Sequence, residues 1–142
     1  MLKIEGYSQI DEPKVVDFIR KVQLDAMPDR CILLCSVLIK NDEDIVGMVS
    51  YESHDDMGVI RYFLYDACIA GTDIVVGMFF ELYKKARTNG VKQLIAKVPS
   101  SDVGNLFEML GFTKIADDPL DLKSTTGKDI EIMLINLPRD ES

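Results

Sequence analysis

Three groups of residues could do chemistry. The first is Ala70-Gly71-Thr72-Asp73-Ile74-Val75, a glycine-containing loop that opens a long helix. The first turn of a helix has unpaired backbone N–H groups and favours negative charge, so such a loop can hold a phosphate. Asp73 competes for that position, because its carboxylate can cap the helix. The second group is Glu52 and His54, with Tyr62, Tyr65 and Asp66 downstream. A carboxylate or an imidazole in a cleft can take a proton from an attacking nucleophile. Glu52 and His54 also fit an exposed strand acid and a solvated turn histidine, and Tyr62, Phe63 and Tyr65 fit sheet packing. The third group is Cys31, Cys35 and Cys68. Cys31 and Cys35 lie in an apolar run that reads as a strand, which places them about 13 Å apart on one face. That is too far for a disulfide, so core packing is expected of all three. The chain has one histidine and no second Cys pair, so no metal site is expected. No Ser-His-Asp arrangement and no Walker loop is legible.

The elements that must position these groups follow from periodicity. Leu2 to Tyr7 begins a short strand, and Asp11-Glu12-Pro13 starts a helix with an acid at its cap and proline in its first turn. Val15, Val16, Ile19, Val22 and Ala26 share one helical face, and Met27-Pro28-Asp29 ends it. Cys31 to Lys40, Ile45 to Ser53 and Met57 to Asp66 read as three meander strands, separated by the polar turns Asn41-Asp44 and His54-Asp56. A helix capped by Thr72 or Asp73 runs to about Asn89 and stops at Gly90. Leu94 to Val98 is a buried strand, Ser100 or Ser101 caps a further helix through Leu110, and Phe112 to Ala116 is a strand. Asp117 to Asp129 is a polar loop, and Ile130 to Leu137 closes the sheet. The order is β-α-β-β-β-α-β-α-β-β. It predicts an α+β fold with a mostly antiparallel sheet of about seven strands, helices on both faces and one parallel pair. Where that pair stops pairing, backbone groups lose their partners and a ligand with amide groups can fill the gap.

Composition bounds the rest. At 142 residues the chain suits one domain, residues 1–142, with a single core. A net charge of −8 makes it a poor partner for nucleic acid, and no apolar run is long enough to span a bilayer. The N-terminus does not read as a signal peptide. The odd cysteine count adds to the expectation of reduced thiols and a cytoplasmic location.

The element order, with Asn105-Leu106-Phe107-Glu108-Met109-Leu110-Gly111-Phe112, resembles the GNAT family of N-acetyltransferases. By topology the resemblance covers nearly the whole chain, and by motif it covers residues 59–112. It implies acetyl transfer from acetyl-CoA to a small-molecule or peptide amine by direct attack. It places the cofactor against Tyr65, Gly71, Thr72, Ile74, Val75, Ser100 and Phe107, and catalysis at Glu52 and Tyr62. The chain departs from the family pattern. Ala70 replaces an Arg or Gln, Asp73 replaces a glycine and Val75 replaces a Gly or Ala. Phe107 replaces a tyrosine that serves as general acid, and Phe has no proton to give. A branched Val75 is expected to crowd the phosphate and Asp73 to repel it. The alternative reading is therefore a catalytically silent binding or regulatory module of the same fold. A homodimer formed through the edge of the apolar C-terminal strand is a further expectation.

Overall fold

A computed structural model describes residues 1–22, 30–99, 103–115 and 130–137. The chain forms β1 (Leu2–Gly6), a 3-10 turn (Gln9–Asp11), α1 (Glu12–Val22), α2 (Arg30–Leu33), β2 (Ser36–Asn41), β3 (Asp44–His54), β4 (Met57–Tyr65), α3 (Thr72–Thr88), β5 (Gln93–Pro99), α4 (Val103–Met109), β6 (Thr113–Ile115) and β7 (Ile130–Asn136). The strands make one seven-stranded sheet in the order β1-β2-β3-β4-β5-β7-β6. Every pairing is antiparallel except β4–β5. This is the mixed sheet expected from the order of elements.

Strand alternation sorts the core onto two faces. On one face Leu38 and Met48 pack with Val15 and Ile19 of α1 and with Leu33 of α2. On the other, Val37, Ile39, Val49 and Tyr51 pack with Val75, Met78, Phe79, Leu82, Tyr83 and Ala86 of α3. Those α3 residues recur at i, i+3, i+4, i+7, i+8 and i+11, the stripe of a helix lying on a core. Two glycines end helices in the same way. Gly90 has φ 85° and Gly111 has φ 100°. Val91 N–H donates to Ala86 O at 2.9 Å and Gly90 N–H to Arg87 O at 3.0 Å. Phe112 N–H and Gly111 N–H repeat the pattern to Phe107 O and Glu108 O, each at 3.0 Å. These are Schellman stops, and they explain physically why a Leu-Gly-Phe sequence follows α4.

Several expectations are corrected. The run from Cys31 is not all strand, because residues 30–33 form α2 and the strand begins at Ser36. Cys35 N–H and Ser36 Oγ both donate to Ile32 O, which closes the turn. A short apolar run does not by its period distinguish strand from helix. Cys31 and Cys68 are exposed and Cys35 is half-buried, so the expected core role fails for two of the three. The C-terminal strand is no edge, because β7 lies between β5 and β6. On its outer side β6 already pairs with Ile132 to Leu134, so that stretch of β7 is not open to a neighbour's edge. The predicted helix stop at Met27-Pro28-Asp29, the Ser100 or Ser101 cap and the loop from Asp117 lie outside the described residues.

The parallel junction is tight. A Cβ at Gly58 would meet Leu94 Cδ2 at 2.8 Å and Tyr51 Cδ2 at 3.0 Å. Gly58→Ala is expected to cost about 1–3 kcal/mol by overpacking, read as a lower urea midpoint. Gly71→Ala, with no atom within 4 Å of its added Cβ, serves as the control.

Candidate functional site

The β4–β5 ladder is short. Met57 pairs with Gln93, Gly58 with Leu94 and Val59 with Ile95, and there it stops. β4 continues to Tyr65, still paired to β3, and β5 continues to Pro99, still paired to β7. From Ile60 and Ala96 onward the facing edges part. Among the described residues they carry backbone N–H and C=O groups without ladder partners, which a ligand carrying amides can satisfy. This is the gap anticipated from the topology.

On the α3 face an aromatic cluster packs under the free end of β4. Phe63 of β4 meets Phe79 of α3 edge-on at 4.9 Å and Phe107 of α4 at 5.7 Å. Phe107 is only 3% exposed, held also by Phe79 and Phe112. Its ring is part of the core. Tyr65 stacks on Phe63 at 5.4 Å and is 39% exposed at the end of β4. The Tyr83 hydroxyl, nearby on α3, donates to Leu110 O at 3.0 Å, and burial pushes its pKa above the usual phenol value.

Beyond Tyr65 the chain turns on Asp66. Its N–H donates to Val46 O at 2.8 Å. Its carboxylate accepts the Cys68 N–H at 2.9 Å, and its carbonyl accepts those of Ile69 and Ala70. Ala70 is buried, and Gly71 is the residue from which α3 starts. No side chain caps this helix. The N–H groups of Gly71, Thr72, Asp73 and Ile74 make no hydrogen bond among the described residues, whereas Val75 N–H is taken by Gly71 O at 3.2 Å. Gly71 has an ordinary extended φ of −79°, and the space above it is open. Unpaired amides at a helix start can receive an anion.

Two expectations about this loop change. Asp73 is not the cap: it is the second residue of α3, with an exposed side chain. Val75 does not crowd the loop, because its side chain is buried against the sheet. Helical geometry decides both. The loop side chains are Thr72 and Asp73, and the fourth helical residue turns inward.

The candidate catalytic residues lie on the other face. Glu52 and His54 follow Met48 and Ser50 by strand alternation, so they share the α1 side of the sheet. Tyr62 packs against the α1-side core, directly across from Ser50. Glu52 Oε1 lies 2.9 Å from His54 Nε2, and Glu52 Oε2 lies 3.5 Å from Arg61 Nε. Arg61 was not singled out from the sequence. Ser50 pairs with Tyr62 and Tyr51 with Ile60, so Arg61 is the extra residue of a β-bulge. A bulge depends on register, which the sequence does not display. Glu52 is opposite Val59, the last residue of the parallel ladder. The structure thus gathers Glu52, His54, Arg61 and Tyr62 where the gap begins, and places Tyr65, Gly71, Thr72 and Ile74 at its far end. Ser100 lies outside the described residues. No group of metal-ligating side chains is present among the described residues. No helix among them is long and apolar enough to cross a membrane.

No family model and no curated protein matches this sequence. Solved structures do. The chain aligns over 98% of its length with N-acetylglutamate synthase from Neisseria gonorrhoeae, at TM-score 0.77 and 18% identity. It spans 36% of that longer chain, about a third. An acetyltransferase of the GNAT family from Staphylococcus aureus aligns at TM-score 0.70 and 16% identity, over 97% of this chain and 100% of that one. The ribosomal-protein-S18-alanine N-acetyltransferase of Escherichia coli aligns at 0.69 and 15%, over 96% and 94%. The N-acetylglutamate synthase structure holds coenzyme A and N-acetyl-glutamate. A gap opening beyond a three-pair parallel ladder, beside a helix start with free amides, is what the topology led one to expect, and the chain has the GNAT acetyltransferase fold.

Proposed function

We propose that the protein is an N-acetyltransferase that moves the acetyl group of acetyl-CoA to an amine, within one acyl-CoA-binding domain. The observation that carries this reading is the continuity of two unpaired surfaces. The open edges of β4 and β5 lead from Val59 toward Tyr65, and the four free amides of residues 71–74 follow. The first suits the amides of a pantetheine arm and the second a pyrophosphate. Acetyl-CoA supplies an activated thioester. Tyr65, Gly71, Thr72 and Ile74 hold its phosphate end, with Tyr65 offering a phenol. The residues around Val59, where the parallel ladder ends, would hold the thioester end, with the α1 face left for the acceptor. There Glu52, held by His54, takes the proton of the incoming ammonium, and Tyr62 orients the nucleophile. Phe107 provides no acid, so the departing thiolate is protonated by water.

The fit is imperfect at one residue. Asp73 lies beside the phosphate position and repels it by about 1–4 kcal/mol at a surface dielectric, which weakens binding roughly tenfold or more. Calorimetric titration with acetyl-CoA is therefore expected to give submillimolar affinity for the wild type and about tenfold tighter binding for Asp73→Asn. Thr72→Pro removes one donor at the first helical position, where proline is well tolerated and Gly71 is already extended. It should leave thermal stability unchanged and weaken acetyl-CoA by about 10–100-fold, the worth of a hydrogen bond to a charged group. Absence of binding in the wild type, with recovery in Asp73→Asn, would mean a silent module that has lost its cofactor.

A further inference from the structure

We propose that the acceptor is an amine that also bears a carboxylate, of the α-amino acid class, and that Arg61 is the residue that selects it. This deepens the reading above and rests on it. A bulge at the mouth of the gap turns a guanidinium onto the acceptor face. Arg61 is partly exposed, and its only ion pair among the described residues is a single contact through Nε. No hydrogen bond of its two outer nitrogens occurs among the described residues. That fork is the shape that recognises a carboxylate through two parallel bonds. Its contact to Glu52, at 3.5 Å, is longer than the 2.7–2.9 Å of a strong charge-assisted bond. Exposed pairs of this kind are worth little, so the two groups can part around a ligand at small cost.

The partner charges are complementary to a zwitterion. Glu52, supported by His54 at 2.9 Å, receives the ammonium and later its proton. Arg61 receives the carboxylate and fixes the amine toward Val59, where the parallel ladder ends. Two residues before Glu52 on the same face, the Ser50 hydroxyl is fully buried without a partner among the described residues. Being fully buried, it lies below the surface and makes no part of the contact with the ligand. A simple alkylamine has nothing to offer Arg61 and would leave the guanidinium tied to Glu52. In the reaction Glu52 takes one ammonium proton before attack, the amine nitrogen bonds to the acetyl carbon, the carbon–sulfur bond breaks with its electron pair leaving on sulfur, and the nitrogen's second proton passes through water to that sulfur.

The test uses the full chain, a panel of α-amino acids, and the amine that each becomes on decarboxylation. Release of free coenzyme A from acetyl-CoA gives kcat and KM, and calorimetry gives the binding of each amino acid without cofactor. At least one amino acid should exceed its matching amine by about tenfold or more in kcat/KM, the scale of one charge-assisted contact. Arg61→Gln should erase that preference through KM, Arg61→Lys should restore part of it, and acetyl-CoA affinity should be unchanged in both. Equal or better use of the amines would overturn the proposal. So would an equal loss for both members of each pair in Arg61→Gln, or no binding and no turnover of any amino acid. Acetyl-CoA binding, measured separately, distinguishes these failures from failure of the acetyltransferase reading itself.

Discussion

Phe79→Ala is expected to lower the free energy of unfolding by about 3–5 kcal/mol, the range for deleting a buried aromatic ring. Phe79 is fully buried on α3 and meets three other rings edge-on: Phe63, Tyr83 and Phe107. Those rings come from β4, α3 and α4, so Phe79 ties both helices to the strand that borders the gap. Its loss removes both the burial and the edge-to-face contacts, and the surrounding frame cannot collapse to fill the void. Urea unfolding should show a lower midpoint with an unchanged slope. The neighbouring Phe80, 52% exposed, provides the control, and Phe80→Ala should fall within about 0.5 kcal/mol of the wild type. Equal effects at the two positions would mean that the ring cluster is not the core of the α3 side.

Lys40→Met is expected to cost about 2–3 kcal/mol at neutral pH, somewhat less than a fully buried pair because Lys40 keeps some contact with water. Lys40 Nζ donates to Asp11 Oδ1 at 2.8 Å and to Glu5 Oε2 at 2.9 Å. Asp11 is buried and also accepts the Ser8 N–H at 3.1 Å, which pins the entry to α1. Burial alone pushes the Asp11 carboxyl up, but the hydrogen bonds from Lys40 and Ser8 outweigh it and hold it below its ordinary value of 3.8. The hydrogen bonds to Asp11 and then Glu5 raise Lys40 above its ordinary 10.5. The signs follow from linkage. A lowered carboxyl contributes stability above about pH 3.8 and loses it as pH falls through the lower folded value. A raised ammonium contributes stability below about 10.5 and loses it as pH rises through the higher folded value. Between those limits the gap between wild type and Lys40→Met should be constant, and it should shrink toward zero in acid. Denaturation curves carried from pH 7 down to about pH 1.5 would check this, and a gap that persists unchanged below pH 3.8 would reduce Lys40 to the packing of its stem. Lys114→Met, which breaks an exposed pair with Glu131, should change little across the same range.

Much of this architecture can be read along the chain, because local rules govern it. The α3 stripe from Val75 to Ala86 has the helical period, and Gly90 and Gly111 occupy the positive φ that a Schellman stop requires. The meander is punctuated by Asp42 and Asp55, both at positive φ in its two turns. The parallel pair follows from a strand, a crossover helix and a strand. Less legible is any feature set by what lies opposite. Cys31 to Leu33 is apolar enough for strand or helix, and contact with α1 selects the helix. The C-terminal strand has the composition of an edge or an interior strand alike, and only its insertion between β5 and β6 decides.

The candidate site divides in the same way. The sequence by itself determined that a helix begins near Gly71 with unpaired amides, that Asp73 brings a negative charge to it, and that Phe107 offers no proton. These are properties of residue type and spacing along one segment. The tertiary structure decided that Val75 turns inward and leaves the loop clear, and that the β4–β5 ladder ends at Val59. It also decided that a bulge brings Arg61 beside Glu52 and His54. Each of these depends on register between strands or on which face of a helix meets the core. Register is fixed by the summed packing of distant residues, so it belongs to no single stretch of the chain.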